Sequence, residues 1–423
     1  MNHGAEIFDR MQALFAETGW NDHQLHCAIR LDSRLDEAAL RRAVELSLKA
    51  VPILATRYVE KGGRAVWESL PEADLDRAFV AVDDEAGFEP EATGAIHEEV
   101  GPQLRLCLLR GDKSALAIIM NHMIADAGGF KDFLYLFCGI YSGLVQDHSY
   151  LPAVTIDGDR SLRAVTRTLG PWAKVGAWFS QREDSNRHGE LAFPLGPDED
   201  GGGEIRPFIA TRIIDREKVA RLRAYCKPRG ATLNDAFLAA YYRALAHRIG
   251  SAAYGALEIP IMIDMRRYLE DKCFRSLCNL ASTAVTRIGQ REGESFEETL
   301  LKTKACMDRL KGDRIGLGGF LKLELLFALG DRRAMGLLRL GLRNPLICMT
   351  NIGDLDAGRL AFEGARVVSA YMCGSIKFKP YFQVALSGFD GSITLSSNLH
   401  GTAADRASIE AFLAEIEEEL SRN

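Results

Sequence analysis

Between Leu40 and Val51, apolar and small residues fall at Leu40, Ala43, Val44, Ser47, Leu48 and Val51. That spacing of three and four lays one stripe along a helix, with Asp36 placed to cap its start and Pro52 to stop it. From Ile53 to Val66 the pattern turns extended and is broken by Gly62-Gly63, a hairpin signal. A second hairpin follows, with LRLCLL (Leu104–Leu109), a Gly111-Asp112 turn, and ALAIIMNHM (Ala115–Met123). The last of these is apolar on both faces, which places it in the middle of a covered sheet. It runs into a turn at Asp126-Ala127-Gly128-Gly129, and a long apolar helix is expected from Phe130 to Val145.

The second half opens with a strand, Phe208–Ile214, and a helix from Asp215. Thr232 and Asp235 form a capping-box-like start for a helix whose stripe is Leu238, Tyr241, Leu245 and Ile249, ending at Gly250. Strands are expected at Leu257–Met265 and Leu280–Arg287, and Ser295 with Glu298 caps a helix running to Lys311. An interrupted Leu-rich helical stretch covers Gly316–Leu342. PLICMTN (Pro345–Asn351) reads as a strand, and Phe382–Leu399 as a hairpin turning at Asp390-Gly391. A last helix from Asp405 buries Ile409, Phe412, Leu413, Ile416 and Leu420.

Strands and helices alternate irregularly in both halves, so the class is α/β or α+β. At 423 residues the chain is too long for one ordinary core. Its least regular part is Leu151–Arg206, with a helix expected around Trp172 to Gln181 and then LGPDEDGGGE (Leu195–Glu204). Pro, Gly and acidic residues at that density mark an exposed connection. The chain therefore divides into 1–195, a linker at 196–206, and 207–423.

Composition narrows function mainly by exclusion. With 47% apolar and 26% charged residues the chain is that of a soluble globular protein, not a disordered one. A net charge of −6 argues against nucleic acid as the main partner. The apolar run Phe133–Val145 is shorter than the roughly 20 residues a transmembrane helix needs. The N-terminus has neither the basic start nor the apolar core of a signal peptide, so a cytoplasmic location is expected. Nine scattered cysteines form no C-x-x-C pair, which fits reduced thiols and argues against a metal site.

The chemistry concentrates in Asn121–Gly129, NHMIADAGG. A histidine at a strand end with a carboxylate four residues on can be held in one ring orientation with the other nitrogen free. Near its usual pKa of about 6.5 it is the natural general base at neutral pH. The glycines would let a substrate approach the backbone. Alone, H-x-x-x-D is a weak signal, and the plain alternative is a core histidine followed by an Asp that caps the next helix.

The surroundings of this segment resemble the acyltransferase superfamily of condensation domains and chloramphenicol acetyltransferase. That group includes peptide-synthetase condensation domains, polyketide-associated acyltransferases, wax ester synthases and plant hydroxycinnamoyl-type transferases. Its signature is HHxxxDG after a central strand. Asn121 stands for the first His, His122 for the second, Asp126 for the Asp and Ala127 for the Gly. Leu35–Glu60 looks like the family's early helix and strand, and Ala231–Leu245 like the helix opening its second half. Ile259–Leu269 with Leu277–Ile288 looks like the strand and the Arg- and Asn-containing segment that follow. Met349–Asp356 looks like the SNxG strand end, and Phe382–Leu399 like the closing hairpin. The pieces occur in the family's order and span nearly the whole chain.

The resemblance implies two chloramphenicol-acetyltransferase-like subdomains, each a mixed sheet with helices, forming a V with a central tunnel. A thioester donor on a pantetheine arm would enter from one face and an alcohol or amine acceptor from the other. His122 would act as general base in a direct attack. Asp126 would pair with an arginine and hold the loop, with Arg266 the candidate and Arg267 next. Backbone N–H groups of Gly128 or Gly129 would meet developing oxyanion charge. Asn121, Asn351 and Thr350 could line the tunnel, although a strand-end turn is the plainer role for Thr350 and Asn351.

No bound cofactor or metal is expected. The co-substrate would be acyl-CoA or a phosphopantetheinyl carrier protein, in lipid or secondary metabolism. The rival reading from another class is a catalytically silent module that docks a carrier protein or partner enzyme. Separately, Arg332, Arg333, Arg339 and Arg343 fall among Leu337, Leu338, Leu340 and Leu342. A basic amphipathic helix can touch anionic lipid or the phosphates of coenzyme A, while a solvated face over a core is the commoner explanation.

Overall fold

The computed structural model describes residues 2–62, 64–167, 169–180, 191–196, 203–250, 256–269, 271, 273–312, 314–341 and 345–422. Gly63 of the expected hairpin turn, Gln181, most of the expected linker, Leu342 and Arg343 lie outside the described residues.

In chain order the first half contains β1 (Asn2–Gly4), α1 (Ile7–Glu17), β2 (Gln24–Leu31), α2 (Glu37–Ala50), β3 (Thr56–Lys61), β4 (Arg64–Ser69), β5 (Phe79–Val82), α3 (Glu85–Ala92), β6 (Leu104–Leu109), β7 (Ala115–Asn121), α4 (Ala127–Gln146), α5 (Arg163–Thr166) and α6 (Pro171–Ser180). The second contains β8 (Arg206–Ile214), α7 (Arg216–Cys226), α8 (Leu233–Ile249), β9 (Ala256–Asp264), β10 (Ala281–Gly289), α9 (Phe296–Leu310), α10 (Leu317–Ala328), α11 (Asp331–Gly341), β11 (Ile347–Leu355), β12 (Val367–Cys373), β13 (Phe382–Phe389), β14 (Ser392–Gly401) and α12 (Ala403–Ser421).

Two mixed sheets carry the fold. One has the order β12-β2-β7-β6-β5, the other β10-β9-β11-β13-β14-β8, and a small sheet β1-β4-β3 stands beside them. The first sheet is buried on both faces, and alternation along its strands decides which residue goes where. Leu104, Leu106 and Leu108 of β6, with Leu116, Ile118 and Met120 of β7, pack into the core shared with α2 and α4. Cys107, Leu109, Ala115 and Ala117 point the other way, to Phe88 of α3. A period of two with both sets apolar is what a central strand requires. In the second sheet, α8 and α12 form the main backing, with Tyr241, Phe382 and Phe412 among the buried aromatics.

The division along the sequence is not the division between sheets. β12, from the last third of the chain, pairs antiparallel with β2 and so completes the sheet of the first half, with Met372 opposite Cys27 and Cys373 opposite His26. No element was expected at α1, β2 or β12, although Ile7, Met11, Leu14 and Phe15 lay a helical stripe along α1 and β2 alternates between apolar and polar positions. The strand expected to run to Met123 stops at Asn121, and the helix expected from Phe130 begins at Ala127, because Asp126 caps it through the Gly129 N–H at 2.9 Å. The Leu-rich stretch is two helices, α10 and α11, parted at Gly330, whose φ of 94° ends the first.

Candidate active site

β7 is buried along its whole length and ends where Asn121 pairs with Gln24. The chain then folds sharply. The Asn121 Oδ1 accepts the Met123 N–H at 2.9 Å, and the Asn121 carbonyl accepts the Ile124 N–H at 3.2 Å. Asn121 is thus a fully buried turn-former, and among the described residues its Nδ2 has no hydrogen-bond partner.

His122 stands half-buried at this turn. Its own N–H donates to the carbonyl of His23 at 2.7 Å, and its carbonyl accepts Asn279 Nδ2 at 2.7 Å. His23 is held in the left-handed region (φ 43°), a strained backbone for a non-glycine residue, and its Nε2 lies 3.1 Å from Glu98 Oε2. The His122 ring is oriented by one bond, from Nδ1 to the Ala125 carbonyl at 2.7 Å. A carbonyl can only accept, so Nδ1 carries the proton and Nε2 carries the lone pair. Among the described residues no hydrogen bond engages Nε2. Burial pulls the imidazole below its ordinary pKa and Lys377 adds to that. The residue's own backbone, Asp126 and the Ala125 bond oppose it without reversing it. The ring is therefore neutral at pH 7, the form a base requires.

Asp126 does not touch that ring through a hydrogen bond. Its Oδ1 accepts the Gly129 N–H, and its Oδ2 accepts the Leu280 N–H at 2.6 Å and Arg266 Nη1 at 2.8 Å. Burial disfavours the charged carboxylate, yet the Arg266 guanidinium and the two amides outweigh it and hold the carboxyl below its ordinary range. Arg266 also donates to the Cys278 carbonyl at 3.1 Å and sits on the turn after β9, so this pair ties the His122 loop to the second half of the chain. Arg267 instead lies over the Tyr268 ring.

One expectation changes here. The Gly129 N–H is already given to Asp126, so it is not available to an oxyanion. Gly128 faces the ion pair: a Cβ on it would lie 2.7 Å from Arg266 Nη1. Its missing side chain admits the guanidinium. Ala127, where the family pattern has Gly, is the first helical residue of α4 and needs no special backbone. Asn351 is exposed and committed to its own surroundings, donating to Asn234 Oδ1 at 2.9 Å and accepting the Gly353 N–H at 2.9 Å. It lies within β11, opposite Leu386 and beside the register shift between Asn351 and Gly353, and is not drawn into the His122 cluster.

Two further residues belong to this region: Asn279, the asparagine of the segment Leu277–Ile288, and Lys377, which the sequence did not single out. Asn279 clamps the loop from the second half, donating to the carbonyls of both His122 and Met123. Lys377 is only 9% exposed and stands between the halves, bridged by backbone to Asn21 on one side and Leu399 on the other. Among the described residues its ammonium has no hydrogen bond and no ion pair, and burial holds it below the ordinary lysine pKa, against Cys348 and Asp22. Near it, Asp22 Oδ2 is buried without a hydrogen-bond partner, 3.9 Å from a His26 Nε2 that also has none. Among the described residues no group of three or more His, Cys, Asp or Glu is placed to hold a metal ion, and no helix is long and apolar enough to cross a membrane.

No protein-family model matches the chain, and no curated protein sequence does. Solved structures do, over nearly the full length. Polyketide synthase associated protein 5 from Mycobacterium tuberculosis is 15% identical with a TM-score of 0.68, covering 98% of this chain and 95% of that one. The TRI3 trichothecene 15-O-acetyltransferase from Fusarium sporotrichioides is 14% identical with a TM-score of 0.71, covering 99% and 95%. The first condensation domain of the CDA synthetase is 14% identical with a TM-score of 0.67, covering 100% and 97%. The chain has the fold of condensation domains and chloramphenicol-acetyltransferase-like acyltransferases, with two such subdomains.

Proposed function

We propose that the protein is an acyltransferase that moves an acyl group from a coenzyme A or carrier-protein thioester to an alcohol or amine, with His122 as general base. The observation that carries this reading is the fixed tautomer of His122, with Nδ1–H tied to Ala125 at 2.7 Å and the Nε2 lone pair left for a substrate proton. In the reaction, Nε2 takes the proton of the acceptor O–H or N–H as that atom attacks the thioester carbonyl. The C–S bond then breaks and the thiolate leaves with the proton from the imidazolium. A thioester is already activated, so alignment and proton removal are the main demands on the protein. Asp126 and Arg266 hold the loop and touch neither reactant. The likeness in fold to condensation domains of peptide and polyketide synthetases supports a carrier protein as donor partner.

Incubating the protein with a panel of acyl-CoA thioesters and mixed alcohol and amine acceptors, with products read by mass spectrometry, identifies the substrates. With the best pair, His122→Ala is expected to lower the rate by about 10²–10⁴-fold while the melting temperature holds. A variant that transfers at the parent rate removes His122 from the chemistry.

A further inference from the structure

We propose that the outer face of α6, α10 and α11 is a membrane-docking surface, which inserts Trp172, Leu337 and Leu340 into an anionic lipid interface. It does not depend on the assignment of His122.

α10 is apolar nearly all round, a pattern that belongs to a buried helix. Only its first part is buried: Leu317, Phe320 and Leu321 pack with Val165, Ala177 and Met265, while Leu325 and Leu329 face out. α11 buries Ala334 and Leu338, the latter against Met11 and Leu14 of α1. Its other stripe, Arg333, Leu337 and Leu340 at i, i+4 and i+7, points to solvent. α6 turns Ala177 inward and Trp172 and Val175 outward. α10 packs against both α6 and α11, so the three outward stripes belong to one layer. Six of the thirteen exposed large apolar side chains among the described residues lie on these helices or the α10 cap.

Charge selects the occupant. The chain carries −6 overall, yet Arg332 and Arg333 are exposed here with no ion pair among the described residues. Of the acids in and beside this layer, Asp331 is paired with Arg10 at 2.8 Å and Glu17 with Arg339, while Glu324 takes the Thr166 hydroxyl at 2.8 Å and keeps its charge, one negative group against the two arginines. Trp172 and Leu340 are 86% and 88% exposed, so nearly all of each side chain stands in solvent. A protein partner would need a matching pocket for each. A lipid interface receives protruding apolar groups without complementary shape, and anionic headgroups meet the free arginines.

The test is flotation of the whole protein with vesicles of phosphatidylglycerol and phosphatidylcholine, against vesicles of phosphatidylcholine alone. Trp20 and Trp67 are buried and Trp178 is partly so, which makes Trp172 the responsive fluorophore. Binding to the anionic vesicles with a blue shift in emission, absent in Trp172→Phe, is the expected result. Leu340→Glu and Trp172→Glu are expected to weaken binding by about tenfold or more each, and Arg332→Glu with Arg333→Glu to abolish the preference for anionic lipid. Leu151→Glu, exposed elsewhere, is expected to bind as the parent does. Failure of the parent to float with anionic vesicles at low salt overturns the proposal. So does unchanged binding in Leu340→Glu and Trp172→Glu, which would leave a purely electrostatic face suited to an acidic protein.

Discussion

Arg266 and Lys377 are two largely buried cations within electrostatic reach of the His122 loop, and they are treated differently. Arg266 has the Asp126 carboxylate at 2.8 Å and a backbone carbonyl at 3.1 Å, and Gly128 leaves room for it. Around Lys377 the polar atoms are unmatched. Its ammonium is unpaired among the described residues, and Asp22 Oδ2, His26 Nε2 and Asn398 Oδ1 are buried without hydrogen bonds. A satisfied ion pair fixes a loop. Unsatisfied buried groups cost free energy in the absence of a ligand or water, so they mark where polar matter belongs.

The largest effect on stability is expected on the Arg266 side. Arg266→Met leaves a buried carboxylate without its cation and should cost about 3–5 kcal/mol, read from the urea midpoint. Because the folded Asp126 is held below its ordinary value, its contribution is fully present above about pH 3.9 and is lost as pH falls through the folded value. The gap between parent and variant should therefore close on acidification. An unchanged midpoint at neutral pH would show that the pair does not hold the loop. Gly128→Ala tests the same point more gently. The added methyl meets Arg266 Nη1 at 2.7 Å, and overpacking of this kind costs about 1–3 kcal/mol. A melting temperature equal to the parent's would mean that the guanidinium gives way freely.

This contrast also explains what the amino-acid order reveals and what it conceals. Asn121–Gly129 is legible because a strand apolar on both faces, a histidine and a turn rich in small residues follow one another within a short span. The capping boxes at Thr232 and Ser295 are legible because both partners lie within one helical turn, and both form. The strand character of β2 is written in its alternation, Leu25, Cys27, Ile29 and Leu31 against Gln24, His26, Ala28 and Arg30. Its place inside the sheet is not legible: the polar set predicts a face open to water, yet Gln24 and His26 are buried and bonded to the carbonyls of Asp22, Ile96 and Ala92. Lys377 comes from a segment without periodicity and Asn279 stands just ahead of an expected strand, and what makes both matter is contact across more than a hundred positions of chain. The outward leucines of α11 show the converse. Periodicity identifies an amphipathic helix, but only packing shows that Leu338 is covered and Leu340 is not.

On the Lys377 side the expected effects are smaller and of different sign. Lys377→Met removes a largely buried charge that no described residue pairs, so the melting temperature should hold or rise, in contrast to Arg266→Met. The charge also bears on His122: a cation nearby disfavours the imidazolium, and it acts in the same direction as burial. Removing it raises the pKa of the imidazole. Transfer requires the neutral ring, so the acid limb of the kcat/KM profile should move to higher pH in Lys377→Met, and it should stay in place in Lys377→Arg, which keeps the charge. A fall in melting temperature comparable to that of Arg266→Met would place Lys377 in a pair after all, joined to Asp22 through ordered water. The two buried cations would then be the same kind of device, and the distinction drawn between them would fail.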